Sequence, residues 1–229
     1  GGDSPSATLM NALAYAYSKG VTIVAAAGND GENKVLYPAA YDDYVIAVGA
    51  TRYDQSLAYY SNYGAGLDFV APGGDLNVDQ SRDGYGDGIL QNTFNPTTKK
   101  TSAFGYYFFQ GTSMAAPHVA GAAALLIATG QVETPGQVES VLQQTAVDQG
   151  ASGYDTVYGW GLIDAAGALN LVTVSNTPPV AYGQATATAE DQPKDITLIA
   201  TDSDAGAALT YFIESGPAHG TLSGTAPYL

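Results

Sequence analysis

The sequence predicts an α/β domain on a mostly parallel, doubly wound sheet, followed by a partial all-β sandwich-like segment. Three observations carry this. An amphipathic stretch closes on Gly20 and gives way to the apolar run Val21-Thr22-Ile23-Val24-Ala25-Ala26, the helix-then-buried-strand rhythm of parallel sheets. A second apolar run, Val45-Ile46-Ala47-Val48-Gly49-Ala50, repeats the pattern. Beyond residue 172 the pattern changes to short alternating β segments.

The elements follow in order. Gly1-Gly2-Asp3-Ser4-Pro5-Ser6 reads as a loop with a helix cap, and Leu9, Ala12, Leu13 and Ala16 supply the apolar spacing of a helix over 7–19. The strand at 21–26 is expected to be buried on both faces. It ends in Ala27-Gly28-Asn29-Asp30-Gly31, and a polar residue at the carboxyl end of a parallel strand faces the crevice where ligands bind. Asn-Asp-Gly is also ordinary turn chemistry, so the residues alone leave Asn29 between a site and a turn. Leu36-Tyr37-Pro38 is extended, because a residue before proline avoids the α region. Residues 67–73, Leu-Asp-Phe-Val-Ala-Pro-Gly, give a strand ending in a turn.

A long polar stretch, 74–105, reads as irregular. Within it Asp79, Ser81, Asp83 and Asp87, with the Tyr85 carbonyl, place oxygens around Gly84 as the start of an EF-hand-type loop does, so a structural calcium is expected there. The bidentate Glu of such a loop is absent, Leu90 standing in its place, and an acidic solvated turn is the alternative. The β-prone run 104–109, Phe-Gly-Tyr-Tyr-Phe-Phe, is read as core and leads into Gln110-Gly111-Thr112-Ser113. Gly111 can take a φ closed to other residues. Ser113 then falls among the unpartnered N–H groups of a helix start, a setting that favours negative charge. Pro117 is placed in or near the first turn, where a missing N–H costs little. Mostly small residues to Ala124, then Leu125-Leu126-Ile127, suit a helix packed on most sides. Thr134-Pro135 opens another helix, and a last short one runs to about Leu171.

The segment Gly111-Thr112-Ser113-Met114-Ala115-Ala116-Pro117-His118-Val119-Ala120-Gly121 resembles the nucleophile segment of the subtilisin-like serine proteases, the subtilases. Ala25-Ala26-Ala27-Gly28-Asn29 resembles the segment that supplies their oxyanion-hole side chain. Leu36-Tyr37-Pro38 resembles the wall of the pocket for the residue before the cut, and Tyr158-Gly159-Trp160-Gly161 the closing segment. The resemblance covers about 1–172. It implies that Ser113 attacks the scissile carbonyl, that Asn29 donates to the oxyanion, and that Gly1, Gly2, Ala26, Ala27, Gly28 and Leu36 bind substrate. Relatives often carry glycine where Leu36 stands, so an inward Leu36 implies a shallower pocket. It implies no cofactor for catalysis, protein or peptide substrates, and a secreted or cell-surface protein. The tail is similar to cadherin-like and immunoglobulin-like bacterial repeats, giving expected boundaries of 1–172, a linker at 173–179, and a partial β domain at 180–229.

Composition excludes several classes. A net charge of −15, from 22 acidic and 7 basic residues, leaves no basic nucleic-acid footprint. There is no cysteine, hence no disulfide framework, and no apolar run of membrane-span length. A serine nucleophile needs a histidine base and an acid to orient it. The chain has two histidines. His118 lies five residues beyond Ser113 on one helix, about 140° round from it, and so is not read as the base; it matches the family's structural histidine within the nucleophile helix, and the resemblance implies a core residue. His219 sits in a Gly-Pro-Ala-His-Gly turn. The resemblance places the catalytic Asp and His before Gly1, so the 229 residues are expected to be part of a longer enzyme and inactive alone. A catalytically inactive binding relative and a surface-adhesion protein stand as alternatives.

Overall fold

The computed structural model describes residues 1–102, 104–173, 178–202 and 209–229. The chain divides into two compact units, Gly1–Thr173 and Val174–Leu229.

The larger unit is α/β, as its sequence predicts. Helix α1 (Ala7–Ser18) starts at Ser6, whose side chain accepts from the Leu9 N–H, and ends before Gly20 at φ 82°. Strands β1 (Val24–Ala26), β2 (Ile46–Thr51) and β3 (Phe69–Pro72) form a parallel sheet in that order. Val24 pairs with Ile46, and Val48 with Phe69. Strand β2 is central and every residue in it is buried. Its alternate residues serve two cores. Ile46, Val48 and Ala50 join Phe69 and Ala71 beneath helix α2 (Thr112–Ala128), which contributes Ala115, Val119, Ala122, Ala123 and Leu126. Ala47 and Val70 face the other way, onto Ala27, Val35, Ala39 and Leu67. Small residues on α2 let it lie close against the strands. Helices α3 (Pro135–Thr145) and α4 (Ala165–Thr173) pack on each other and on α2, and α3 opens with the Thr134–Gln137 capping box.

The helix expected over 7–19 is present as α1, although none of its residues is buried, because periodicity gives a face but not a partner to cover it. Three expectations need correction here. Among the described residues strand β1 is an edge, so its residues are only half-buried, and Val21 lies outside it and exposed. The irregular stretch contains β4 (Ile89–Phe94), paired antiparallel with β5 (Phe104–Phe109). The aromatics of β5 are not core: Phe104, Tyr106 and Phe108 are exposed.

One buried carboxyl gives the unit a pH dependence. Asp68, 9% exposed, accepts from the Ala47 N–H at 2.7 Å. Burial raises its pKa to about 7, with Glu139 of α3 and Asp42 adding repulsion against the lowering effect of the Ala47 bond. Glu139 is itself raised by burial and Asp42, while Gln143 donates to it. Below pH ~4 Asp68 is protonated in both folded and unfolded chains and contributes nothing. Between pH ~4 and ~7 the unfolded chain releases the proton and the fold does not, so stability falls with rising pH, by about 4 kcal/mol in all. Asp68→Asn keeps an acceptor for Ala47 and is expected to flatten this slope in urea unfolding. A slope unchanged in the variant would assign it elsewhere.

In the smaller unit β6 (Val180–Ala181) pairs antiparallel with β7 (Ala200–Thr201), and Thr197 bridges to Tyr228. The strand predicted over 196–200 is thus reduced to its end. No strand is present over 209–213, where Phe212 is 83% exposed, because an extended segment needs a neighbour for its N–H and C=O groups. Ala208, most of the predicted linker (174–177) and part of the Asp202-Ser203-Asp204 turn lie outside the described residues.

Candidate active site

The site is assembled at the start of α2. Gly111 caps the helix at φ 143°, ψ 161°, and its N–H donates to the Tyr60 hydroxyl and the Gly73 carbonyl, both at 3.0 Å. Tyr60 is buried and donates onward to the Gly74 carbonyl at 2.6 Å, so one phenol ties the turn after β3 to the turn before α2. Burial pushes its pKa to about 12 and keeps the bridging proton in place. Thr112 is fully buried as the first helical residue, and Ser113 follows, exposed, in the first turn. Its N–H has no intrahelical acceptor there. Pro117 lies in the second turn rather than the first, and cannot donate to the Ser113 carbonyl.

Asn29, past the end of β1, reaches the same point. Its Oδ1 accepts from the Thr112 N–H at 2.8 Å and from the Thr112 hydroxyl at 2.9 Å. A backbone N–H can only donate, so the oxygen of the carboxamide must face Thr112 and Nδ2 must face away. Among the described residues no acceptor takes the Nδ2 protons. Two separate crossovers thus bring a free carboxamide donor and a free helix N–H together around Ser113.

The loop carrying Asn29 is held from beneath by Asn62, a fully buried side chain. Its Oδ1 accepts from the N–H groups of Asp30 and Glu32 (2.8 and 3.3 Å), and its Nδ2 donates to the Lys34 carbonyl (2.9 Å). Sequence reading singled out none of Thr112, Asn62 and Tyr60. Nothing local in Ser61-Asn62-Tyr63-Gly64 shows what it holds.

Of the residues read as substrate-binding, Gly1, Ala27 and Gly28 lie against Leu36. Gly2 and Tyr37 exchange backbone hydrogen bonds at 2.9 Å, and the Leu36 N–H donates to the Ala27 carbonyl. Leu36 Cδ1 would lie 2.9 Å from a Cβ on Gly28 and 3.7 Å from one on Gly1. Leu36 therefore points into the space bounded by Gly1, Ala27 and Gly28, while Ala26 ends β1 opposite Val48.

His118 is exposed and not a core residue, because the α2 face that carries it, with Gly121 and Leu125, has no element packed over it among the described residues. Its Nδ1 lies 2.8 Å from the Met114 carbonyl and must donate to it, and no hydrogen bond joins it to Ser113. It does line a cavity of about 270 Å³ with Ser113, Met114, Pro117, Ile89 and Gln91. His219 lies in the smaller unit and is exposed.

The acidic loop is turned on itself. Asp79 accepts from the N–H groups of Asp83 and Gly84 and from the Ser81 hydroxyl, and Asp83 accepts from the Tyr85 N–H. Asp87 accepts from the N–H groups of Gln80 and Ser81. These carboxylates satisfy amides rather than surround one point. Among the described residues no group of three or more His, Cys, Asp or Glu side chains is placed to hold a metal. As arranged, the donor set does not fit a calcium ion.

Known proteins share this architecture. Residues 1–161 match the subtilase family and residues 176–228 a bacterial Ig domain. Subtilisin BL of Lederbergia lenta is 42% identical over 168 residues, 73% of this chain and 53% of that protein. The alkaline protease of Alkalihalobacillus alcalophilus is also 42% identical, over 38% of its length. Among solved structures, a Pseudoalteromonas arctica protease superposes with a TM-score of 0.64 at 38% identity, covering 76% of this chain and 49% of that one. A lanthipeptide protease superposes with a TM-score of 0.60 at 31% identity, covering 71% and 54%. The chain spans about half, or less, of the length of these relatives. No helix among the described residues is long and apolar enough to cross a membrane. With a family match over residues 1–161 and a Gly-Thr-Ser turn that meets its asparagine at a helix N-terminus, the chain belongs to the subtilase family of serine proteases.

Proposed function

We propose that the whole protein is a serine endopeptidase in which Ser113 is the nucleophile and Asn29 an oxyanion donor. The Ser113 Oγ–C bond forms as the hydroxyl proton passes to a base. That proton then goes to the leaving amine as the C–N bond breaks, and water repeats the sequence to release the acid. Negative charge developing on the carbonyl oxygen is met by Asn29 Nδ2 and the Ser113 N–H. The observation that carries this reading is the fixed carboxamide of Asn29, its oxygen held by Thr112 and its donor end free. The base is proposed to lie outside these 229 residues, since neither histidine is hydrogen-bonded to Ser113. The substrates are proteins or peptides and the site of action is extracellular. An organofluorophosphonate is expected to label Ser113 in the whole protein and to leave the 229-residue chain unlabelled. Labelling at another residue of the whole protein would overturn the assignment. Labelling of the shorter chain would point to His118, which shares the Ser113 cavity.

In this reading Leu36 fills the pocket for the residue before the cut. Leu36→Gly is expected to raise the preference for Phe or Tyr over Ala at that position about tenfold or more, read as a ratio of kcat/KM values. A ratio unmoved by the substitution would place the pocket elsewhere. Calcium at Asp79, Ser81, Asp83, Tyr85 and Asp87 is a separate proposal that requires the carboxylates to exchange their amide partners for the cation. If it binds, added calcium raises Tm and an Asp79→Ala, Asp83→Ala double variant loses that rise. An equal response in both proteins removes the site.

A further inference from the structure

The fully buried Asn62 spends its side chain on a single loop, the one that presents Asn29. Its Oδ1 accepts from the Asp30 N–H at 2.8 Å and the Glu32 N–H at 3.3 Å, and its Nδ2 donates to the Lys34 carbonyl at 2.9 Å. Its backbone N–H donates to the Gly28 carbonyl at 3.0 Å. Residues 28, 30, 32 and 34 are alternate positions of one stretch, so one residue supplies the partners that a neighbouring strand would otherwise supply. The residues beside it continue the pairing: the Gly31 N–H donates to the Tyr60 carbonyl at 2.8 Å and the Tyr63 N–H to the Glu32 carbonyl at 3.0 Å. Gly28, at φ 125°, is closed to a side chain here, because a Cβ on it would collide with the Asn62 carboxamide.

Asn29 is the residue this frame encloses. Among the described residues its own backbone N–H and C=O make no hydrogen bond, while Gly28 before it and Asp30 after it are both tied to Asn62. Its side chain is tied only at Oδ1, to Thr112. The place of Nδ2 therefore depends on Thr112 at the tip and on Asn62 at the root. We propose that Asn62 is a positioning residue for the oxyanion donor, holding Gly28 and Asp30 and through them setting where Asn29 Nδ2 stands beside Ser113. The proposal rests on Asn29 as the donor and Ser113 as the nucleophile. An oxyanion donor works at about 2.7–3.1 Å from the place the developing charge will occupy. A misplacement of about 1 Å can cost about 10²-fold in rate. Asn62 is 0% exposed, so it cannot touch a substrate, and any effect it has on rate passes through the loop. Because it acts through Asn29, its loss cannot cost more rate than the loss of Asn29 itself. An asparagine that only filled a turn would change stability and leave the rate alone.

The test measures kcat and KM for a peptide amide in the whole protein, per active site counted by organofluorophosphonate titration, at a temperature where every variant is folded. Asn62→Ala is expected to lower kcat about 10–100-fold and to hold KM within about twofold. Asn62→Ser keeps a donor and an acceptor in place of the carboxamide, guards against misfolding of the alanine variant, and is expected to lose a smaller part of kcat. If Asn62→Ala does not fold, the serine variant decides the same comparisons. In an Asn29→Ala background the Asn62 substitution is expected to cost at most about twofold more in kcat, since no donor is left to misplace. A peptide aldehyde, whose adduct with Ser113 sets an oxygen in the oxyanion position, is expected to bind the Asn62 variant about tenfold more weakly, while the amide of the same peptide binds it unchanged. An equal fall in kcat in both backgrounds overturns the proposal. So does a full-rate Asn62→Ala, a fall larger than that of Asn29→Ala, or a rise in KM at constant kcat. Full kcat in Asn29→Ala would remove the oxyanion reading and the positioning role with it. A slow Asn29→Ala beside a full-rate Asn62→Ala would remove only the role of Asn62.

Discussion

Ser113→Ala is expected to remove peptide hydrolysis from the whole protein, with kcat falling about 10⁶-fold, the size known for the same deletion in subtilisin itself. The measurement is steady-state turnover of a peptide amide, and the residual rate should remain above that of water because the oxyanion donors survive. Stability should hardly change. Ser113 is exposed, and its hydroxyl has no hydrogen-bond partner among the described residues, so the loss in unfolding free energy should stay within about 0.5 kcal/mol. That pairing of results separates a nucleophile from a helix-capping serine, whose loss would cost stability and spare the rate. Near-normal turnover by Ser113→Ala would end the protease reading of this turn.

Asn29→Ala is expected to lower kcat about 10²–10³-fold with little change in KM, a magnitude established on subtilisin's oxyanion asparagine. The reason is that the charge Asn29 meets exists only in the transition state. The structure adds a complication and a way round it. Asn29 Oδ1 also accepts the N–H and hydroxyl of the buried Thr112. Alanine strands the Thr112 N–H, while the hydroxyl keeps the Gly28 carbonyl at 3.3 Å, and should cost about 1–3 kcal/mol of stability as well. Asn29→Asp keeps an acceptor for Thr112 and removes the donor, so it should hold stability better while losing at least as much in kcat. If the two substitutions track each other in stability but leave kcat intact, Asn29 is a structural tie between β1 and α2 and not an oxyanion donor. A rise in KM at constant kcat would make it a pocket wall.

Much of the fold was legible because its signals are local. Gly20 and Gly111 announce turns by the φ values they alone take easily, and Thr134-Pro135 announces a helix start. The central strand 46–51 was legible because burial on both faces demands an uninterrupted apolar run. Signals that need a neighbour were misread. The aromatic run 104–109 has the composition of core, yet its partner is β4, which was hidden in a polar stretch where alternation with Gln91, Asn92 and Thr93 disguises a strand. The resemblance implied an interior His118, but a residue of a helix apolar all round is buried only where something packs on its side. The spacing of Asp79, Ser81, Asp83 and Asp87 suggests a cation, which stays a proposal; in the structure the same carboxylates accept from the loop's own amides, a competition that sequence spacing does not register.

The sequence by itself determined the family, the α/β class, the position of Ser113 in a helix's first turn, and the candidacy of Asn29, since each rests on a contiguous motif or a local backbone preference. Tertiary structure alone decided that Asn29 meets Thr112, which is 83 residues away. It also decided which end of the carboxamide stays free, that Asn62 and Tyr60 hold the two halves of the site, and which face of the hairpin looks outward. Those outcomes depend on hydrogen bonds and packing between segments far apart in the chain, and no stretch of sequence contains both partners.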